Sequence, residues 1–517
     1  MLAGLIFLIF LLALFLVLLY SLNMKTLFLT ALAACAVTIA QADIKVDKIY
    51  ADHMVLQQGK QVPISGTYDG KGKITVSFNG QTVQAQTKNG KWRAVLAPMQ
   101  VNTVGQPLTI TQGDDTVVLD DVLVGEVWIA SGQSNMLWRL NQTGDRNSLQ
   151  EADTPLFRFY HSEPQVHTAA QAYNAKLQQI LKNKEMYVGS WSCNNTQTRP
   201  RMSAVGYYFG RELQKHLGDT PVAVIHASLG GSEMMAWMPP AVLKKKYKDC
   251  LTEKWLENRY MSDWVRGRAR QNIGNDLNAP HPYKPAYLFE TGIEPWVDFP
   301  VAGVIWYQGE SDAEIQSTEQ NTELLTDLIN GWRREFNDKK LPFLMIELPR
   351  INDKSKLRAY WPEFRLVQRT VATTLPNVQS VTTIDLGSTN SDVHPPRKLE
   401  VGTRLAAVAA ATIYGKDVPY SGPVVDSVTA KENSLVLTFK FATGLHTTNG
   451  TAPQGFEVSA DNKKYYPATA SIDGETVTLT SDQVKNPKYA RYGWYTFMEP
   501  NLVNEDKLPT VPYTHNK

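Results

Sequence analysis

Cysteine is scarce in this sequence. Of three, Cys35 lies in an apolar leader, so the remainder of the chain holds only Cys193 and Cys250. That excludes a disulfide-rich scaffold, and an exported chain can either pair these two or keep them as free thiols. Charge of one sign is equally lacking: 52 Lys+Arg face 50 Asp+Glu, a net charge of +2. Nothing in that balance attracts nucleic acid. Glycine patterns of the P-loop or Rossmann type are absent, as is His-Glu-x-x-His or any other metal-ligand spacing. No metal is therefore expected. Internal repeats and low-complexity tracts are also missing.

What is present is a chain of 517 residues, 43% hydrophobic and 20% charged, rich in Trp and Tyr. It is globular in composition and too long for one core. Residues 1–42 form a leader that we set apart from the fold. Leu2 to Tyr20 is an uncharged apolar run long enough to span a bilayer. From Met24 the text restarts as MKTLFLTALAACAVTIAQA, with Lys25, an apolar stretch and the small-x-small ending Ala40-Gln41-Ala42, the pattern of a secretory signal peptide cleaved before Asp43. Export to the periplasm or beyond the cell follows. A membrane anchor in residues 1–23, translation from an upstream start codon, and a lipid on Cys35 of "LAAC" stand as alternatives, and no stable membrane partner is expected unless the leader is retained.

Three further segments differ in period. Residues 43–120 alternate short apolar runs with Asp69-Gly70, Asn79-Gly80 and Asn89-Gly90, which are hairpin signals of a small antiparallel β domain. Residues 421–517 repeat that style in "SLVLTFKFATG" and "GETVTLTSD", a second β module. Between them, residues 121–420 carry "VLVGEVWIA", "PVAVIHAS", "VAGVIWYQ", "LPFLMIEL" and "VQSVTTIDL". Strands apolar on both faces suit a parallel sheet covered by helices, so the fold class is α/β. One helix is expected from the stripe Leu324, Leu325, Leu328, Ile329, Trp332 and Phe336, another between Pro396 and Gly415. Residues 244–287 fit neither pattern, and Lys244-Lys245-Lys246 reads as a solvated face.

Ligands of open parallel sheets bind beyond the carboxyl ends of the strands. Four loops there carry chemistry: "SGQSNM" with Ser134 and Asn135, "HASLGGSEMMAW" with Gly230 and Gly231, "WYQGESD" with Gln308 and Glu310, and "SDVHPP" with Asp392 and His394. A serine needs a base to take its proton, and the base needs an orienting group. Ser134, His394 and Asp392 fill those three roles. The amides of Ser134 and Gly231 and the Gln308 side chain are candidate oxyanion donors, with Glu310 and Asn135 as candidate substrate-binding residues. Each loop alone is a common turn, and it is their joint occurrence on successive strand ends that points to a serine esterase. His53 and His226 read as structural residues, and nothing around His281 ties it to the cleft. The glycine-flanked elbow of α/β-hydrolases is not met, because Met136 stands in place of the second glycine.

The motifs "DHMVLQ", "GEVWIASGQSNM", "HASLGG…AWMP", "GVIWYQGESD", "DVHPPRKLEVGTRLA" and "ARYGWYTFMEPNLVNEDKLPTVPY" resemble those of the sialate O-acetylesterase family of the SGNH hydrolase superfamily, and they span most of the chain from Asp43 onward. The resemblance implies a three-layer α/β/α catalytic domain flanked by β modules. It also implies removal of acetyl groups from sugar hydroxyls without a cofactor, with Ser134 as nucleophile, His394 as base, Asp392 as orienting acid, and Gly231 and Gln308 as oxyanion donors. Leu137 and Met235 depart from the acidic residues frequent at those family positions, so the preferred sugar need not carry over. Ser391 stands where the wider superfamily places its acid. Acetylated xylan as substrate, a non-catalytic glycan-binding surface protein and a lipase-like esterase are the rival readings. An intact Ser134, His394 and Gly231 set argues against pure binding, and no apolar lid segment supports a lipase.

Overall fold

The structure, a computed structural model, describes residues 44–515 apart from 71 and 253. The leader and its alternatives lie outside the described residues.

The expected apolar runs form the centre of an eleven-stranded sheet. Its main path comprises β1 (Asp115–Gly132), β2 (Thr154–Pro164), β3 (Tyr187–Asn194), β4 (Val222–Ser228), β5 (Gly303–Tyr307), β6 (Phe343–Ile346) and β7 (Val378–Val381), in the spatial order β3-β2-β4-β1-β5-β6-β7. All neighbours along it are parallel except β2 and β3.

Both faces of these strands are buried, and period 2 sorts their side chains into two cores. Trp128, Ala130, Val224, Ile305, Tyr307 and Leu344 point to one side, where α2 (Ala204–Leu217) and α6 (Lys398–Thr412) cover them. Val127, Ile129, Ile225, Val304, Trp306 and Met345 point to the other. There α4 (Thr318–Glu335) and α5 (Trp361–Thr374) close the third layer with Leu324, Leu328, Trp332, Phe364 and Val367. Helix α4 shows the expected stripe, and Phe336 is its C-cap. Truncating a side chain as large and buried as Trp332 to alanine would cost about 3–5 kcal/mol.

The N-terminal β segment is fused to this sheet. Strand β1 pairs antiparallel with Asn102–Gln112 in its first half and parallel with β4 and β5 in its second, so one 18-residue strand runs through position 120. The C-terminal module holds two four-stranded sheets and packs Leu437, Phe456, Val477 and Tyr492 around Ile384 of the catalytic segment.

Cys193 and Cys250 are free thiols and do not pair. Lys244 and Lys245 are exposed on a short helix, while the neighbouring Lys246 meets Asp327 at 2.8 Å. No described helix is long and apolar enough to cross a membrane.

Candidate active site

Strands β1, β4 and β5 end level with one another: Gly132 is in register with Ser228 on one side and Tyr307 on the other. The chain leaves β1 through Gly132 at φ 137°, where a Cβ would stand 2.1 Å from the Tyr307 carbonyl oxygen. Only glycine lets the backbone turn this close to β5. The turn delivers Ser134 to the first position of the one-turn helix α1 (Ser134–Leu137), whose N-cap Gln133 gives no side-chain cap. The Ser134 amide is left without a partner among the described residues.

Ser134 opens into a cavity of about 360 Å³ shared with Gly230, Gly231, Trp264, Glu310 and His394. The Gly230-Gly231 turn forms its wall. Gly231 has φ 72°, and a Cβ there would collide with the Tyr283 hydroxyl at 2.4 Å and Trp264 at 2.8 Å. The turn is braced from behind: Tyr283 Oη donates to the Gly230 carbonyl at 2.9 Å, and Ser311 Oγ to the Gly231 carbonyl at 3.2 Å. The Gly231 amide, like that of Ser134, has no partner among the described residues.

His394 stacks on Trp138, with ring centroids 5.1 Å apart and an interplanar angle of 17°. Burial lowers its pKa below the usual histidine range. Glu310 and Asp392 pull the other way, and the Lys398 ammonium adds to the lowering. The ring is therefore neutral at pH 7, the state a base requires. Asp392 touches it loosely, with Oδ1 3.5 Å from Nδ1, and the same oxygen accepts the His394 backbone N–H at 2.9 Å.

Two expected site residues take different places. Asn135 was expected to contact substrate, yet it is fully buried beneath the cavity. Its Nδ2 donates to the Val393 carbonyl at 2.9 Å and to Glu310, and its Oδ1 accepts from Lys398. It ties the histidine loop to the serine turn. Gln308 was expected to donate from its side chain to an oxyanion, but its Nε2 is spent on the Asp312 carboxylate and on the Ser232 carbonyl at 3.3 Å. It does not line the cavity. Glu310 does line it, with Oε2 unpaired.

Sequence reading missed the buried charges under this floor. Lys398 opens α6, one turn after His394, and burial depresses its pKa to about 7, with Glu310 and Asp392 opposing. Glu233 and Asp312 form a buried acid pair whose pKa values burial raises. Asp312 was legible only as the last letter of "WYQGESD", and Lys398 carried no signal beyond following the proline pair. His226 is a core residue, as expected, and contacts Ser228 Oγ at 2.6 Å, while His281, which nothing in the sequence ties to the cleft, is also buried: it accepts from the Tyr283 amide at 3.0 Å and is held neutral by burial. His53, Asp121 and Cys193 bring ligand atoms within 4.8 Å of one another, but the Arg158 guanidinium already reaches Asp121 at 2.8 Å and Cys193. A built-in cation there disfavours a metal.

Known proteins are similar to this chain in sequence and fold. A profile of carbohydrate esterases described as sialic acid-specific acetylesterases matches residues 290–411. The sialate O-acetylesterase of Pongo abelii is 27% identical over 463 residues, 83% of this chain and 81% of that protein. The Homo sapiens protein of the same name is 26% identical over the same shares. The crystal structure of a carbohydrate acetylesterase from Xanthomonas citri superposes with a TM-score of 0.75 at 30% identity, covering 92% of this chain and 99% of that one. With that length and that identity in common, the chain belongs to the sialate O-acetylesterase family of carbohydrate esterases.

Proposed function

We propose that the protein is a serine esterase that removes O-acetyl groups from carbohydrate, with Ser134 as nucleophile and His394 as base. The observation that carries this reading is one open cavity in which Ser134, His394 and the Gly230-Gly231 turn meet at three strand ends.

Ser134 Oγ attacks the acetyl carbonyl carbon as His394 takes the hydroxyl proton. The carbonyl π pair moves to oxygen, and the unpaired amides of Ser134 and Gly231 are the donors for that oxyanion. Collapse breaks the bond to the sugar oxygen, which leaves with the proton from His394, and acetyl stays on Ser134. Water, deprotonated by the same imidazole, repeats the sequence and releases acetate. Asp392 steadies His394 as a positioning residue. Export after cleavage at Ala42 belongs to the same proposal, as does the choice among acetylated sugars.

Acetate release from acetylated sialic acid, acetylated xylo-oligosaccharide and ethyl acetate tests it. Faster turnover of at least one saccharide is expected. A protein that binds these sugars without releasing acetate would be the glycan-binding surface protein instead.

A further inference from the structure

The segment without sequence pattern, residues 244–287, contributes Trp264 and Arg268 to the cavity wall. Helix α3 (Asp263–Ile273) is locked onto the loop that follows β2: Arg268 donates to the Thr168 carbonyl at 2.6 Å, and Asn272 Nδ2 donates to the carbonyls of Ala169 and Gln171, both at 2.7 Å. That loop is joined in turn to the glycine turn, since Thr168 Oγ1 meets Tyr283 Oη at 2.6 Å and Tyr283 holds Gly230. On this rigid wall stands Trp264. It lines the cavity, yet it is 38% exposed, whereas Trp128, Trp306, Trp332 and Trp361, on the sheet and its covering helices, are fully buried. The Arg268 guanidinium lies over its ring, 5.1 Å from the centroid, which fixes the indole plane. Exposing so large an apolar face costs burial that a core position would gain. An indole held beside Gly231 and left partly exposed in the cavity suits the apolar C–H face of a sugar ring.

We propose that Trp264, clamped by Arg268, is the platform on which the sugar ring of the acetylated substrate stacks, so that this residue selects saccharide esters over small alkyl esters. The proposal rests on the carbohydrate-deacetylase reading above. It assigns Trp264 to binding of the leaving sugar and leaves the reacting atoms to Ser134 and His394.

The test compares wild type, Trp264→Ala and Trp264→Phe on an acetylated saccharide that wild type turns over and on ethyl acetate, which has no ring to stack. In Trp264→Ala the ratio of kcat/KM for saccharide over ethyl acetate is expected to fall by at least about tenfold, chiefly through KM, the equivalent of about 1.4 kcal/mol of stacking. Trp264→Phe should restore most of the ratio. Equal losses on both esters in Trp264→Ala would mean that the ring only props Gly231, and would overturn the platform while leaving the deacetylase reading intact. An unchanged ratio would overturn it as well. A wild type that cleaves ethyl acetate and no acetylated saccharide overturns the deacetylase reading, and the platform with it.

Discussion

Asp392 is an unusual partner for a catalytic histidine because its carboxylate is more than half exposed, at 55%, and sits 3.5 Å from the ring. Water screens such a contact, so it stabilises the imidazolium far less than a buried carboxylate would. A buried triad aspartate is worth about 10⁴-fold in kcat when changed to asparagine. Asp392→Asn is expected to cost much less, about 10- to 100-fold, with the loop retained because asparagine can still accept the His394 backbone N–H. Steady-state kinetics on one acetyl ester, set beside His394→Ala, decides it. A loss near 10⁴-fold would show that the acid closes onto the ring during catalysis, and a loss under about twofold would reduce the machinery to Ser134 and His394.

At the scale of elements, the serine turn, the histidine loop and α6 are held together by buried polar groups. Asn135 links Val393, Glu310 and Lys398, so the charge state of this network acts on His394. Lys398, with its pKa near 7, is protonated where His394 titrates and disfavours a second positive charge. Removing it in Lys398→Met should raise the histidine pKa and move the acid limb of kcat/KM to higher pH. Glu310→Gln removes the opposing negative charge and should move that limb to lower pH. Opposite shifts in the two pH profiles are the expected result, and shifts of the same sign would contradict the electrostatics. Ser134, Gly231 and Glu310 were legible in the sequence because each follows an apolar strand that announces itself, whereas Trp264 and Arg268, which line the same cavity, come from the segment without pattern. The groups beneath were not. Asn135 and Gln308 look like ligands in a motif, and only the three-dimensional neighbours reveal that their amides are already engaged.

At the scale of the whole molecule, the central strands were legible because runs apolar on both faces leave a strand few alternatives. Strands β2 and β3 escaped notice: β2 mixes Pro155, Arg158, Glu163 and Pro164 into its run, and β3 is an edge strand with Val188 and Ser190 exposed. The segment boundary expected near position 120 falls inside a single strand of the large sheet. The C-terminal module is likewise part of the packing. Buried Arg365 on α5 donates to the carbonyls of Gly493 at 3.3 Å and Tyr495, and Ile384 sits in the module's core. A chain ending at residue 420 would lose these hydrogen bonds and expose to water the apolar surface that the module covers, Ile384 included. Its melting temperature should fall well below that of the full chain, and an unchanged value would show the module to be an independent appendage.

The central claim is that Ser134 carries the acetyl group. Its most direct test is the turnover of Ser134→Ala on an acetylated sugar, with circular dichroism to confirm the fold. Loss of turnover by several orders of magnitude in a folded protein is expected, because the covalent route needs that oxygen. Near-normal turnover in a folded Ser134→Ala protein would contradict it.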